Sequence, residues 1–223
     1  MMSASEGAAP VRRGRFITVE GGEGAGKSTQ IDVVKRVLAE QGVVVLNTRE
    51  PGGTPLAEEI RSLLLAPRTE PVTDLAELLL VFAARVQHVE GFIKPALERG
   101  EWVLSDRFVD ATFAYQGAGR GVNSELIDRL RQFVIPDFRP HFTLLLDIPV
   151  SRGMERVGAR GAHDRFEREE RGFHERVRDC YLEIASSEPD RMHLIDASLP
   201  LADVSLAVRQ AVLGFLARPG VLQ

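Results

Sequence analysis

The sequence predicts an α/β protein with a doubly wound, five-stranded parallel sheet flanked by helices. Five short runs are almost continuously apolar, which is typical of strands buried on both faces of a parallel sheet. Segments of helical length separate these runs, so strand and helix alternate along the chain. Hydrophobic residues make up 44% and charged residues 27% of the 223 residues, which excludes a mainly disordered chain and a coiled-coil rod.

The strands and helices follow one another with ordinary boundary signals. The predicted strands are FITVE (16–20), VVVLN (43–47), WVLSD (102–106), FTLLLD (142–147) and MHLID (192–196). The predicted helices are 27–41, 54–65, 74–99, 107–116, 124–134, 150–159, 167–187 and 200–217. Gly42 and Gly100 are suitable helix stops, and Thr73 or Asp74 can cap the helix that follows Pro71. Pro95 should bend or end the regular part of its helix.

A single domain is expected over residues 15–217, between a flexible tail at 1–14 and a C-terminal tail at 218–223. The only cysteine, Cys180, excludes an internal disulfide and argues against a cysteine-based zinc site. The net charge of −4 gives no global attraction to nucleic acid or to an anionic membrane, so neither is an expected partner. The longest apolar run, 78–84, is far shorter than the roughly 20 residues of a membrane helix. A cytoplasmic location is therefore expected.

The predicted helix at 74–99 is apolar on more than one face. Such a helix lies in a core or at a subunit interface. We therefore expect part of segment 74–94 to pack across a two-fold axis and form a homodimer.

Eight arginines crowd the segment 152–178, which is consistent with a solvated helix carrying ion pairs. Within it, glycines interrupt the helical pattern over 158–165. This stretch is predicted to be a mobile loop that carries Arg160 and Arg165.

Residues 21–28 read GGEGAGKS, which matches the phosphate-binding loop G-x-x-x-x-G-K-[ST]. The match follows a predicted strand and opens a predicted helix, as this loop requires. Its glycines let successive N–H groups point at phosphate oxygens, and the helix adds the positive end of its dipole. Lys27 should reach the terminal phosphates, and the Ser28 hydroxyl should bind Mg²⁺. The predicted nucleotide-binding residues are Gly21, Gly22, Glu23, Gly24, Ala25, Gly26, Lys27, Ser28 and Thr29.

Glu23 is an unusual residue for such a loop, because a carboxylate repels a bound nucleotide. It is tolerable only if it points away, toward a hydroxyl or a cation. A kinase whose acceptor carries a hydroxyl near the loop would use such a group, whereas a nucleotide-hydrolysing switch would gain nothing obvious from it. A GTPase is excluded, because neither asparagine is followed by lysine and the guanine-reading N-K-x-D motif is missing.

Charged residues follow two further strands, at the sheet edge where α/β proteins bind ligands. Arg49 and Arg107 lie at these strand ends, and guanidinium groups bind phosphate bidentately. They are predicted to clamp an acceptor phosphate, although arginines at strand ends also serve as solvated ion-pair partners. Asp106 ends an apolar strand, as a Mg²⁺-orienting carboxylate does.

Taken together, six motifs resemble those of the bacterial thymidylate kinases. They are G-x-E-G-A-G-K-S-T, T-R-E-P-G-G, A-A-R-V-Q, D-R-F, A-Y-Q-G and D-R-F-E. The resemblance covers residues 15–217 and implies a P-loop kinase fold with a mobile lid over about 156–168. It further implies transfer of the γ-phosphoryl group of ATP to dTMP, giving dTDP for dTTP biosynthesis, with Mg²⁺ and commonly as a homodimer.

The resemblance also assigns roles to residues that match the family motifs. Glu23 should meet the 3′-hydroxyl of dTMP, and Arg49 and Arg107 should hold its phosphate. Arg85 should bond the thymine edge, and Tyr115 should crowd the 2′ position of the sugar. Further contacts to the base are implied for Thr112 and Gln116. Because the phosphate loop carries no arginine, the catalytic arginine should come from the lid, as Arg160 or Arg165, beside Lys27 and Arg107.

Two positions depart from the family pattern. The aromatic residue that stacks on thymine is replaced by Val81, with Phe82 one residue later. One helical step turns a side chain by about 100°, so Phe82 either stacks through a shifted helix or belongs to the core. Ala111 replaces a residue that commonly carries a hydroxyl.

Two other functions remain consistent with the residues. One is a related kinase that acts on dUMP or on a deoxynucleoside, although a nucleoside kinase would not need a phosphate clamp. The other is a non-catalytic protein that uses ATP as a ligand or switch.

Overall fold

The computed structural model describes residues 14–159 and 165–222, and it confirms the predicted five-stranded parallel sheet. The strands are β1 Phe16–Glu20, β2 Val45–Arg49, β3 Trp102–Asp106, β4 Phe142–Asp147 and β5 Met192–Asp196. They lie in the order β2-β3-β1-β4-β5, and every neighbouring pair is parallel. The central strand β1 is buried along its whole length, as its continuously apolar sequence predicts.

Helices cover both faces of this sheet. They are α1 Lys27–Glu40, α2 Pro55–Leu65, α3 Asp74–His88, α4 Lys94–Glu98, α5 Val109–Thr112, α6 Ser124–Val134, α7 Val150–Gly158, α8 Arg171–Ser187 and α9 Leu201–Leu216. Two π-helical segments, Val89–Ile93 and Phe113–Gly119, follow α3 and α5 directly. Helices α1 and α9 pack together over one face of the sheet, while α4, α5 and α8 contribute to the clusters on the other face.

The structure corrects several predicted boundaries. Strand β2 runs two residues later than predicted, so Arg49 is the last residue of the strand rather than part of the loop after it. The predicted helix at 107–116 begins only at Val109, because Arg107 has a left-handed backbone with φ of 68°. The predicted long helix at 74–99 is divided by a π-helical turn just before Pro95. Pro95 lies in the first turn of α4, where a backbone N–H is not needed for a helical hydrogen bond, so its missing N–H does no harm.

The segment after α9 packs more closely than a tail would. Arg15 donates a hydrogen bond to the carbonyl oxygen of Gly220, and Arg218 donates to that of Asp190 at 2.8 Å. Residues 218–222, predicted as a tail, therefore contact the body of the domain. Among the described helices, none combines the length and the apolar character that crossing a membrane requires.

The two candidates for a base-stacking residue face different surroundings. Phe82 is only 3% exposed and packs with Leu78 and Ile127 in a core cluster between α3 and α6. Val81 instead lines an internal pocket, described below. The helix is therefore not shifted to bring Phe82 to the Val81 position, and Phe82 is a core residue.

Glu20, the last residue of β1, has a fully buried carboxyl group. It accepts hydrogen bonds from the Phe108 N–H at 2.6 Å and from the Tyr181 hydroxyl at 2.7 Å. Burial and the nearby charge of Asp110 raise the pKa of Glu20 to about 8, against the effect of the Tyr181 hydrogen bond. The folded protein therefore keeps a proton on Glu20 at pH values where the unfolded chain has lost it.

This predicts a pH-dependent stability difference between the wild type and Glu20→Gln. Because the folded pKa is raised, the contribution of Glu20 is fully present below about pH 4.5 and is lost as the pH rises to about 8. The unfolding free energy of the wild type, relative to Glu20→Gln, should fall by a few kcal/mol between pH 5 and 8, at no more than about 1.4 kcal/mol per pH unit. Urea denaturation at several pH values measures this difference. Tyr181→Phe keeps the buried carboxyl group and should keep the dependence of the unfolding free energy on pH. If the difference between the wild type and Glu20→Gln did not vary with pH, the raised pKa of Glu20 would be contradicted.

A second prediction concerns the core position of Phe82. Phe82→Ala should lower the free energy of unfolding by about 3–5 kcal/mol, because it leaves a cavity between α3 and α6. Phe82→Leu retains most of the side-chain volume and should cost clearly less. Denaturant titration of both variants tests this, and a loss below about 1 kcal/mol for Phe82→Ala would show that Phe82 is not a core residue.

Candidate active site

The phosphate loop connects β1 to α1 and has the backbone that its glycines allow. Gly24 and Gly26 have φ of 71° and 84°, in the left-handed region that favours glycine. A Cβ atom on Gly24 would lie 2.1 Å from the carbonyl oxygen of Gly153, so the close approach of α7 also requires glycine there. The loop borders an open cleft of about 640 Å³, which we call the loop cleft. Residues 23–30 contribute to its lining.

Lys27 folds back over this loop. Its Nζ atom donates to the carbonyl oxygens of Gly21 and Gly22, at 3.1 and 3.2 Å. Burial and the positive charge of Arg107 lower the pKa of Lys27, while Glu23 and Asp106 act in the opposite direction. The ammonium group is therefore held at the mouth of the loop, where an anionic ligand can replace weak carbonyl contacts.

Asp106 lies at the end of β3 beside the loop cleft. Its Oδ1 atom is buried and has no hydrogen-bond partner, which is unusual for a carboxylate oxygen and fits a site for a cation or its water ligands. Ser28 lines the same cleft. Among the described residues, no three histidine, cysteine, aspartate or glutamate side chains are grouped so that they could hold a metal ion.

The carboxylate of Glu23 points away from the loop, as its position in the sequence predicts. Its Oε1 atom accepts hydrogen bonds from Arg107 Nη2 at 2.8 Å and from the Tyr115 hydroxyl at 2.7 Å. Burial opposes ionisation of Glu23, but the charges of Arg107 and Lys27 and the Tyr115 hydrogen bond outweigh it and lower the pKa to about 2. Glu23 is thus a carboxylate at neutral pH, held between a cation and a hydroxyl.

A second, smaller space of about 80 Å³ lies on the other side of these residues, and we call it the inner pocket. Glu23, Arg61 and Arg107 line both the loop cleft and the inner pocket. These three residues therefore form the throat between the two spaces. Burial and the nearby positive charges of Arg49 and Arg107 lower the pKa of Arg61. An anion bound at the throat would relieve their repulsion.

The structure does not bring Arg49 and Arg107 together as a ready clamp. Arg49 is paired in a bidentate manner with Glu58, at 3.1 and 2.8 Å, and its side chain is 54% exposed. A role in holding a phosphate requires Arg49 to leave Glu58. Arg61, which sequence reasoning missed, occupies the throat instead; it lies within an ordinary helical pattern on α2, and no local signal marks it.

Two residues that line the inner pocket carry buried polar atoms without hydrogen-bond partners. Arg85 is 2% exposed and donates to Glu50 at 2.7 Å and to the Phe108 carbonyl at 3.2 Å, but its Nη1 atom has no partner. The Thr112 hydroxyl is also buried without a partner. Gln116 completes this set of pocket residues. Buried unpaired polar atoms are costly, so their presence on one pocket indicates a polar ligand.

Glu50 is a second site residue that the sequence interpretation passed over, although it lies inside the T-R-E-P-G-G motif. Its second oxygen lies 3.1 Å from His88 Nδ1, and His88 Nε2 lies 2.7 Å from the Thr48 hydroxyl. This chain of contacts fixes the carboxylate that orients Arg85. The nearby pocket wall contains Val81 and Ala111, the two positions that depart from the family pattern.

The predicted lid is only partly described, and Arg160 lies outside the described residues. Arg165 contacts Glu77 and the carbonyl oxygen of Leu64, so it lies on the side of the inner pocket. A catalytic role would require it to leave Glu77. Arg156, at the start of the predicted lid, instead donates to the carbonyl oxygen of Gly24 at 3.3 Å and lines the loop cleft.

This arrangement suits the transfer of a phosphoryl group between two ligands. A nucleotide polyphosphate would occupy the loop cleft, with its terminal phosphate near Lys27 and the throat. A smaller polar molecule that carries an anionic group would fill the inner pocket and reach the throat from the other side.

Comparisons with known proteins agree with this geometry. The family model described as thymidylate kinase matches residues 19–208. The chain is 56% identical over 199 residues to a thymidylate kinase of Alcanivorax borkumensis, covering 89% of this chain and 96% of that protein. It is 59% identical over 191 residues to one of Pseudomonas syringae pv. syringae, covering 86% and 91%. The crystal structure of thymidylate kinase from Ehrlichia chaffeensis superposes with a TM-score of 0.70 at 38% identity, covering 89% of this chain and 98% of the other. The motif resemblance is thereby confirmed, and the chain belongs to the thymidylate kinase family of nucleoside monophosphate kinases.

Proposed function

We propose that this protein transfers the γ-phosphoryl group of MgATP to dTMP and releases dTDP and ADP. The observation that carries the proposal is the throat, where Glu23, Arg61 and Arg107 line both the loop cleft and the inner pocket. ATP would bind in the loop cleft and dTMP in the inner pocket. Their phosphates would then meet between the two spaces.

The inner pocket supports a pyrimidine acceptor. The unpaired Arg85 Nη1 is a donor that suits the O4 oxygen of thymine, and Thr112 and Gln116 offer further polar contacts. Glu23 and Tyr115 lie between this pocket and the loop, where the sugar of dTMP would lie. There Glu23 would accept a hydrogen bond from the 3′-hydroxyl, and Tyr115 would leave little room for a 2′-hydroxyl.

In the proposed step, an oxygen of the dTMP phosphate forms a bond to the γ-phosphorus of ATP, and the bond from this phosphorus to the β–γ bridging oxygen breaks. The acceptor oxygen is already anionic, so no strong general base is needed. Lys27 and Arg107 stabilise the charge that spreads over the transferred group. Arg49 would join them on the acceptor phosphate after leaving Glu58.

When bound, Mg²⁺ would supply positive charge that offsets the charge of the ATP phosphates. Ser28 and the unpaired Asp106 Oδ1 are the residues that would hold it or its water ligands. The lid, over about 156–168, would cover the loop cleft and exclude water, so that ATP is not hydrolysed. An arginine of the lid, Arg160 or Arg165, would complete the charge stabilisation.

The proposal predicts acceptor-dependent release of ADP. Purified protein with MgATP should release ADP rapidly with dTMP, more slowly with dUMP, and hardly at all with dGMP, thymidine or no acceptor. Lys27→Ala should lower the rate at least about a hundredfold, because it removes stabilisation of transition-state charge. Lys35→Ala, on the exposed face of the same helix, is the matched control and should retain full activity. ADP release that does not respond to dTMP would indicate a nucleotide-binding protein without this activity.

We further propose that the enzyme is a homodimer that works in the cytoplasm. Exposed leucines on two adjacent helices support the dimer: Leu56 and Leu63 on α2, and Leu75 and Leu79 on α3, each about half exposed. Apolar side chains grouped in this way are typical of a subunit interface.

The dimer is testable by sedimentation at micromolar concentration. The wild type should sediment at twice the 24.6 kDa of one chain. Leu79→Glu should shift it to the monomer mass, because it buries a charge in the proposed interface. Leu206→Glu places the same charge at an equally exposed leucine on α9 and should leave the dimer intact. A monomeric wild type would contradict this proposal.

A further inference from the structure

Glu77 is a completely buried carboxylate on α3 that gathers three donors from separate parts of the chain. Its Oε1 atom accepts from the Gln116 amide nitrogen at 2.8 Å and from Arg120 Nε at 3.4 Å. Its Oε2 atom accepts from Arg165, which belongs to the lid. One side chain thus joins a residue of the inner pocket to a residue of the lid.

The contact with Glu77 determines which way the Gln116 amide faces. A carboxylate between two guanidinium groups can only accept hydrogen bonds, so the amide must turn its nitrogen toward Glu77. The carbonyl oxygen is then the polar atom that Gln116 offers to the inner pocket, which it lines. The pocket therefore presents an acceptor at this point rather than a donor.

The Glu77 carboxylate also holds the C-terminal part of the lid in place. Arg165 also donates to the Leu64 carbonyl at 2.9 Å, and its guanidinium lies 4.7 Å from the centre of the Phe166 ring. Phe166 in turn lines the inner pocket and packs edge-on against Tyr115, with ring centres 5.9 Å apart. Losing the Arg165 contact would loosen this wall of the pocket.

We propose that Glu77 is a positioning residue that sets the selectivity of the inner pocket for thymine over cytosine. The inference rests on the proposed function, since it requires a pyrimidine in this pocket. Thymine carries a donor at N3 and an acceptor at O4, whereas cytosine carries an acceptor at N3 and a donor at N4. A carbonyl oxygen fixed by Glu77 accepts from thymine N3–H and opposes the cytosine N3 lone pair.

The test compares Glu77→Gln with the wild type on two ligands. A neutral amide at position 77 no longer dictates the direction of the Gln116 amide, which can then turn its nitrogen toward the pocket. The KM for dTMP should rise about tenfold, and the inhibition constant of dCMP as a competitor of dTMP should stay the same or fall. The ratio of the dCMP inhibition constant to the dTMP KM should therefore fall at least about tenfold. The KM for ATP should stay within about threefold of the wild-type value.

Glu169→Gln is the matched control. Glu169 pairs with Arg120 at 2.7 Å, so this variant removes a carboxylate from one partner of Glu77 without touching Gln116 or Arg165. For Glu169→Gln, the ratio of the dCMP inhibition constant to the dTMP KM should match that of the wild type. If Glu77 were only a structural residue, both ligands would bind Glu77→Gln more weakly by the same factor, and an unchanged ratio would overturn the inference.

Two further variants separate a loss of selectivity from a loss of folding and test whether the change in selectivity depends on Gln116. Glu77→Asp keeps the charge but withdraws the carboxylate from Gln116, and it should lower the ratio in a protein whose melting temperature stays close to that of the wild type. In a Gln116→Ala background, Glu77→Gln should no longer change the ratio. A wild type that does not phosphorylate dTMP would refute the proposed function, whereas an active wild type with an unchanged ratio in the variants refutes only the role of Glu77.

Discussion

The partly buried ion pair between Glu23 and Arg107 is the interaction on which the site depends. Three positive groups, those of Lys27, Arg61 and Arg107, converge beside a loop that is built to hold further negative charge. Without a ligand, such a cluster needs a carboxylate, because buried charge without a partner is strongly unfavourable. Glu23 supplies it from the loop itself. The pair therefore joins the loop after β1 to the end of β3 and fixes both sides of the throat.

Arg107 also has an unusual backbone conformation. Its left-handed φ of 68° turns the chain sharply after β3, and the N–H group of Arg107 donates to the carbonyl oxygen of Val19 at 3.0 Å. This turn directs the guanidinium across the sheet edge toward Glu23 and Tyr115 instead of along the strand. A non-glycine residue in this region is uncommon and is held there by the contacts of its side chain.

Glutamates also orient two other arginines around the site. Glu50 holds Arg85 at 2.7 Å, and Glu77 holds Arg165, while other nitrogen atoms of these guanidinium groups remain directed elsewhere. The planar guanidinium fork suits this arrangement, since one edge can pair with a carboxylate while the other faces a ligand. Arg85 shows the consequence most clearly, because it lines the inner pocket and one of its buried nitrogen atoms has no partner.

The sequence by itself determined the parallel sheet, the phosphate loop, the end of β3 and the family, because each depends on local pattern: apolar runs, glycines at fixed spacing, and a motif between a strand and a helix. The family motifs further pointed to Thr112, Tyr115 and Gln116 as contacts of the acceptor. Only the tertiary structure assigned Phe82 to the core, paired Arg49 with Glu58, and brought Arg61 and Glu77 to the site. Except for Arg49 at the end of β2, these residues lie on α2 and α3, at positions that read as ordinary helix. Their roles follow from how the two helices pack over the strand ends, which is a matter of long-range contacts that no local pattern records.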